Sequence, residues 1–89
     1  MSVNIIRSKY WRLQVAGRIT DKPVTIAHAV WSGVGTDGDD LVITDLSGDK
    51  RTTRKGVCGL DTLIWPGLAS QEGFILATLD SGTLEVELA

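Results

Sequence analysis

The side chains of this 89-residue chain that could do catalytic chemistry are few and scattered. There is one histidine, His28, between two alanines in a strand-like run, and one cysteine, Cys58, in the sequence VCGL. A hydrolytic triad needs a nucleophile, a base and an orienting acid within hydrogen-bond reach, and catalytic groups usually stand on loops. We therefore expect His28 to be a partly buried structural residue and Cys58 to fill space in the core. The sequence predicts no enzyme.

Three carboxylates in the glycine-rich stretch 33–40 could in principle bind Ca²⁺: Asp37, Asp39 and Asp40. The calcium-loop pattern fails because no glutamate stands at its closing position, and aspartates in turns usually bond their own backbone. The glycines of this stretch are followed by the strand-like LVITDL and not by a helix, so a phosphate-binding loop is excluded. We expect neither a metal nor a cofactor.

A basic stretch, KRTTRK, contains Lys50, Arg51, Arg54 and Lys55. Nucleic-acid-binding domains are usually basic overall and place aromatic side chains among their bases, whereas this chain has a pI near 5.1 and no aromatic residue here. The pattern favours a solvated edge strand, because charge on an edge blocks pairing with other sheets. A salt-sensitive contact with an acidic protein surface stays open as the alternative.

Three tryptophans are many for a chain with one phenylalanine and one tyrosine. Trp11 falls on the apolar face of an alternating run and is expected in the core. Trp31 and Trp65 stand at strand ends beside Ser-Gly and Pro-Gly, where tryptophan serves either as core or as an interface anchor. We take both as candidate partner-binding residues.

The elements that must position these residues are short β-strands, indicated by alternation of apolar and polar residues and by turn signals. No stretch of useful length has helical periodicity. We predict an all-β fold, a small antiparallel β-sandwich or barrel of about six to seven short strands. The predicted strands are 11–20, 24–31, 41–46, 50–57, 60–65, 74–79 and 83–88, with a break at 21–23.

The last two predicted strands form the clearest hairpin. Asp80-Ser81-Gly82 joins them, and Gly82 suits the left-handed position of a three-residue loop. Leu84, Val86 and Leu88 are expected to face inward. In the earlier strands, we expect Val15 to face the core with Trp11, and His28 to share a face with Ile26.

We predict two parts: residues 1–10 as an N-terminal arm and residues 11–89 as a single β domain. Ile5 and Ile6 point to opposite faces of any strand, so one of them is exposed unless a partner covers it. With the following Arg7, they are candidate docking residues that could add to a neighbour's sheet edge. The alternatives are a frayed terminus or pairing within its own domain. This N-terminus resembles no secretory signal, and no apolar run is long enough to span a bilayer.

Composition is that of an ordinary globular domain, with 43% hydrophobic and 22% charged residues and a net charge of −2. A chain of this mass should bury roughly 63% of its unfolded surface and expose about 5,100 Å². The charges fall in blocks: residues 1–36 are net +4, 37–49 net −5, 50–55 net +4 and 56–89 net −5. Such segregation either orients a partner or reflects solvated hairpin ends.

Ordered features of the chain resemble those of a known family. Residues 30–33 (VWSG) end a β-run, residues 38–45 (GDDLVITD) lead into a polar hairpin, and residues 73–88 (GFILATLDSGTLEVEL) close the chain. This order is similar to that of small tailed-phage capsid decoration, or cement, proteins, over roughly residues 24–88. The motifs are mainly strand alternation and glycine turns.

The resemblance implies a non-enzymatic virion structural protein that binds the outer surface of a phage capsid and stabilises it. Its partner would be the major capsid protein, and a homo-oligomer, with a trimer favoured, would match the local threefold positions of a shell. It would be made in the cytoplasm of the bacterial host and reside on the capsid exterior, without nucleic-acid or membrane contact. The alternative is a tail- or fibre-associated module that contacts another virion protein or the host surface.

Overall fold

The computed structural model describes residues 4–65 and 67–89. Eight strands, all paired antiparallel, form one sheet, and no helix occurs among these residues. The all-β prediction is confirmed; the strand count exceeds the expected six to seven. The strands are β1 Ile5–Ile6, β2 Tyr10–Leu13, β3 Gly17–Ser32, β4 Asp40–Thr44, β5 Arg51–Lys55, β6 Thr62–Leu63, β7 Ala69–Leu79 and β8 Thr83–Leu88.

The strand order is β1-β2-β8-β3-β7-β4-β5, and β6 pairs with β3. The central strand β3 has 16 residues and pairs with β7 along its first part and with β8 along its second. Straight, it would be about 50 Å long at roughly 3.3 Å per residue, whereas the molecule's longest dimension is 32 Å. Register shifts at Arg18/Thr20, Thr20/Pro23 and Ile26/His28 give β3 the bends that its length requires.

Because β3 bends, the sheet folds over on itself and encloses the core. Strands β2 and β7 are separated by β8 and β3, which on a flat sheet would put them about 14 Å apart at roughly 4.8 Å per strand. Yet the rings of Trp11 and Phe74 meet edge to face with centroids 5.0 Å apart. Five strands contribute fully buried side chains, and Ile64, just after β6, contributes another. Those from the strands are Leu13, Ile26, Ala29, Trp31, Leu41, Phe74, Leu76, Leu84 and Val86. The exposed area, 5017 Å², agrees with that expected for a compact chain of this mass.

The closing hairpin was predicted wrongly. Strand β8 has the predicted bounds, but β7 begins at Ala69, five residues before the predicted start at Phe74. Gly82 adopts the predicted left-handed conformation at φ 80°, but the two strands do not pair. Strand β3 lies between them, and residues 80–82 cross from one side of the folded sheet to the other. The predicted inward face of β8 is confirmed: Leu84 and Val86 are buried, and Leu88 packs partly against the core.

The predicted strand 11–20 is interrupted, and Val15 is 44% exposed instead of facing the core. The Asn4 side chain replaces a neighbouring strand there: its Oδ1 accepts hydrogen bonds from the backbone N–H groups of Gln14 and Val15, and its Nδ2 donates to the carbonyl of Val15. The predicted break at 21–23 is also wrong. Pro23 lies within β3, opposite Glu72 and next to a register shift.

His28 is exposed and not partly buried as predicted. A bulge sets Ala27 and His28 against a single position of β8, since Ile26 pairs with Leu88 and His28 with Glu87. One extra residue reverses the alternation. Ile26 before the bulge and Ala29 after it therefore both face inward, and the histidine is moved to the outer face.

Candidate functional site

Most of the exposed large apolar side chains of the described residues are close together in sequence, between the end of β5 and the start of β7. Of the seven large hydrophobic residues exposed in the described chain, four fall between residues 57 and 68, which we call the apolar segment. They are Val57 (46% exposed), Leu60 (61%), Leu63 (49%) and Leu68 (73%). The segment contains one charged residue, Asp61. Grouped apolar side chains with few charges are typical of the centre of a protein interface.

The apolar segment is held to the sheet, so its exposure is part of the fold. Ile64 is fully buried and its N–H donates to the carbonyl of Ala29 at 2.9 Å. The guanidinium of Arg54 donates to the carbonyl of Ile64 at 2.6 Å. Leu63, next to this anchor in β6, pairs with Val30 of β3 and projects outward. The chain thus buries Ile64 and presents Leu63 beside it to solvent.

Glycine is required where the apolar segment leaves β5. A Cβ atom on Gly56 would lie 2.7 Å from Val34 and 2.8 Å from the ring of Trp31. The backbone therefore lies directly on the tryptophan. Trp31 itself is fully buried, and its ring N–H donates to the carbonyl of Ser81 at 2.8 Å. Of the two roles that the sequence left open for Trp31, core or interface anchor, the structure shows the core, because its ring is buried under this loop. Trp65 is half-buried and packs against the core from within the apolar segment.

Residues 51–55 of the basic stretch form β5, whose one partner strand among the described residues is β4, so β5 lies at an edge of the sheet, as predicted. Lys55 forms an ion pair with Asp40, the residue opposite it across the β4–β5 ladder, at 2.5 Å. This hydrogen bond and the attraction of the carboxylate raise the pKa of Lys55 above its ordinary value. Arg54 lies against the apolar segment, and Lys50 donates to the carbonyl of Ser70. Arg51 is exposed at the edge.

The first described residues pair within the sheet. Ile5 lies opposite Arg12 and Ile6 opposite Trp11, and the N–H of Arg7 donates to the carbonyl of Tyr10. Residues 5 and 6 therefore follow the alternative in which the N-terminal segment pairs within its own domain. Ile5 is half-buried and Ile6 is 51% exposed, on a strand whose outer edge has no neighbour among the described residues. A docking role for Ile5, Ile6 and Arg7 stays a prediction, and residues 1–3 lie outside the described residues.

The aspartates near the glycine-rich loop accept hydrogen bonds that connect neighbouring loops. Asp37 accepts a hydrogen bond from the backbone of Cys58, and Asp39 accepts one from the hydroxyl of Ser81. Asp80 accepts one from the backbone of Asp40 at 2.7 Å. Across residues 4–65 and 67–89, no group of three or more metal-binding side chains is present. Cys58 is exposed and not a core residue as predicted, because Asp37 holds its backbone at the surface.

A second site is a hollow of about 230 Å³ beside the β4–β5 turn. It is lined by Pro23, Val24, Thr25, Asp45, Lys50, Ser70, Gln71 and Glu72. Two of these, Asp45 and Gln71, are the buried polar side chains found in the described chain, with exposures of 5% and 8%. Neither residue stands out in the sequence, because both belong to ordinary strand and turn patterns.

Hydrogen bonds fix both buried polar groups. The Asp45 carboxylate accepts from the Ser47 hydroxyl and from the backbone N–H of Lys50. Burial acts to raise the pKa of Asp45. These hydrogen bonds and one from the backbone of Gly48 outweigh the effect of burial, so the pKa of Asp45 is lower than its ordinary value. The Asp45 carboxylate is therefore ionised at neutral pH. Gln71 donates through its Nε2 to the carbonyls of Thr44 and Gly73, which leaves its Oε1 available as an acceptor.

Sequence reasoning also missed the four exposed residues of the apolar segment. The available signal was an apolar stretch with one charge that does not alternate with period two, next to a charged strand.

No protein-family model matches the chain, and no curated protein or solved structure is significantly similar to it. The described residues include no helix that could span a membrane.

Proposed function

We propose that this protein is a non-enzymatic virion structural protein that binds the outer surface of a phage capsid and stabilises it. The observation that carries the proposal is the apolar segment, with four large side chains 46–73% exposed on a backbone anchored by Ile64. Burying an apolar side chain that is otherwise exposed contributes about 1.5–3 kcal/mol, so covering several of them supplies useful binding energy.

The rest of the described surface suits binding a protein better than enclosing a small molecule. The side chains best able to act as base and nucleophile, His28 and Cys58, stand on different elements, His28 in the middle of β3 and Cys58 in the apolar segment. The compact folded sheet and charged edge strand β5 are features that a rigid cementing domain would use. We propose the major capsid protein as the partner and the capsid exterior as the location, with a homotrimer as the assembly.

The proposal is tested by mixing the purified protein with empty heads of a tailed phage whose genome encodes it, and counting the copies that sediment with each shell. Decoration requires saturable binding in proportion to the number of shell subunits. One or a few copies per particle would instead indicate the tail- or fibre-associated module. Absence of binding to both shells and tails would overturn the virion role.

A further inference from the structure

The hollow beside the β4–β5 turn concentrates polar groups that are costly to bury. Burying a hydrogen-bonding group without a partner costs free energy, and most described polar side chains are accordingly at the surface. Asp45 and Gln71 are the exceptions, and both line the same hollow. Their bonds to the backbone explain why they can be buried, but do not use the Oε1 of Gln71 or all the acceptor capacity of the Asp45 carboxylate.

The charges that line the hollow favour a cation. Asp45 and Glu72 are carboxylates and Lys50 is the one base, so the lining is net −1. The Lys50 ammonium donates a hydrogen bond to the backbone carbonyl of Ser70, so this base is bonded to the backbone and not to the carboxylates. Asp45 has a lowered pKa and stays ionised at neutral pH. Among the described residues no protein group donates to Oε1 of Gln71, so this oxygen and the two carboxylates are the acceptors that the lining offers to a ligand.

The size and shape of the hollow limit which cations fit it. At about 30 Å³ per water, the hollow of about 230 Å³ holds roughly eight waters, which is the scale of one side chain and not of a nucleotide. Pro23 and Val24 provide an apolar wall for an aliphatic stem. A planar guanidinium with several fixed donors fits a carboxylate and a neighbouring carbonyl oxygen better than an ammonium does.

The geometry points to the hollow as a receptor for an arginine side chain presented by a protein partner. The guanidinium donates to the Asp45 carboxylate and to Oε1 of Gln71, Glu72 attracts it at the rim, and its stem lies on Pro23 and Val24. The inference rests on the proposed function only for the source of the arginine, which is a surface of the capsid protein.

The test uses the whole protein, labelled with ¹⁵N, and a capped arginine, N-acetyl-arginine methylamide, as the probe. We expect saturable shifts of the Gln71 side-chain amide and of the backbone at residues 45–50 and 70–72, with a dissociation constant of about 1 mM. The uncharged isostere N-acetyl-citrulline methylamide should bind at least about tenfold more weakly, because it lacks the charge that the carboxylates recognise.

Two matched variants locate the effect. Glu72 and Glu87 are both exposed glutamates, but only Glu72 lines the hollow. Glu72→Gln should weaken capped-arginine binding about two- to fivefold, as expected for a rim charge, while Glu87→Gln leaves it unchanged.

The inference is overturned by any of three results: no saturable shift up to about 50 mM probe, well above millimolar affinity; equal binding of the citrulline compound; or equal loss in the two variants. Agmatine binding at least about tenfold tighter than capped arginine would assign the site to a small molecule and overturn the protein source. Because no shell is present, failure here is distinct from failure of capsid binding.

Discussion

At the scale of single residues, burial separates the side chains that maintain the fold from those available to a partner. Trp11 was placed correctly from its position in an alternating run, and it is 3% exposed. Trp31 and Trp65 could not be separated in that way, because both end a run beside a turn. Contacts with residues distant in sequence distinguish the two tryptophans. Trp31, for example, lies against Gly56 and donates a hydrogen bond to Ser81.

Val86 tests the inward face of β8. It is fully buried, so Val86→Leu adds volume to a packed core and should cost about 1–3 kcal/mol. Val86→Asp should cost several kcal/mol more, because it buries a charge without a partner. Chemical denaturation of both variants measures the difference; equal stabilities would show that this face is solvated.

Asp45 gives the fold a dependence on pH. Its folded-state pKa is lowered, so its ionised form contributes stability that is present above the ordinary aspartate pKa of about 3.9 and is lost as the pH falls through the folded pKa. Asp45→Asn should therefore lower the thermal midpoint at neutral pH. The gap to the wild type should narrow below about pH 4. A gap that is independent of pH would show that the charge of Asp45 does not stabilise the turn.

At the scale of elements, local patterns located most strands but not their neighbours. The β4 and β5 regions followed from an apolar run, a turn signal and a polar run, and the β8 face followed from alternation. The edge position of β5 followed from its charges. The bulge at Ala27 and His28 left no local signal, although it alone decides which face His28 occupies. The turn at 80–82 has hairpin chemistry, yet joins strands on opposite sides of β3, because pairing depends on how β3 bends.

This crossing turn can be tested by comparing two glycines with the same backbone conformation. Gly82 and Gly48 have φ values of 80° and 78°. Alanine at either position should cost about 1–2 kcal/mol for the left-handed conformation. Gly82→Ala should cost clearly more than Gly48→Ala, because its Cβ would lie 2.3 Å from the carbonyl oxygen of Ser32, whereas nothing lies within 4 Å at Gly48. Equal losses in urea denaturation would contradict the close approach of this turn to β3.

At the scale of the whole molecule, the chain folds into a compact domain and leaves one apolar segment uncovered. The sequence predicted the all-β class from its alternation and turns. It could not predict the surface, because the exposure of Leu60 and Leu68 depends on which residues of that stretch reach the core, namely Ile64 and, in part, Trp65. Charge blocks suggested an oriented partner but did not locate it.

The proposed homotrimer has a direct consequence for mass. A preformed trimer sediments with three times the 9.6 kDa chain mass, since closed cyclic assemblies have a defined size. Sedimentation equilibrium of the wild type and Leu60→Asp measures this. A monomeric wild type would contradict a preformed trimer. A trimer that Leu60→Asp dissociates would assign the apolar segment to contacts between copies and not to the shell.

The most direct test of the capsid-binding account is the affinity of Leu60→Asp for empty shells, measured beside Val15→Asp. Both residues are exposed, at 61% and 44%, so neither change should alter stability by more than about 0.5 kcal/mol. Only Leu60 belongs to the apolar segment. The account predicts that Leu60→Asp lowers shell affinity at least about tenfold, the loss expected from about 1.4 kcal/mol, while Val15→Asp binds as the wild type does. Undiminished binding of Leu60→Asp would contradict the central claim.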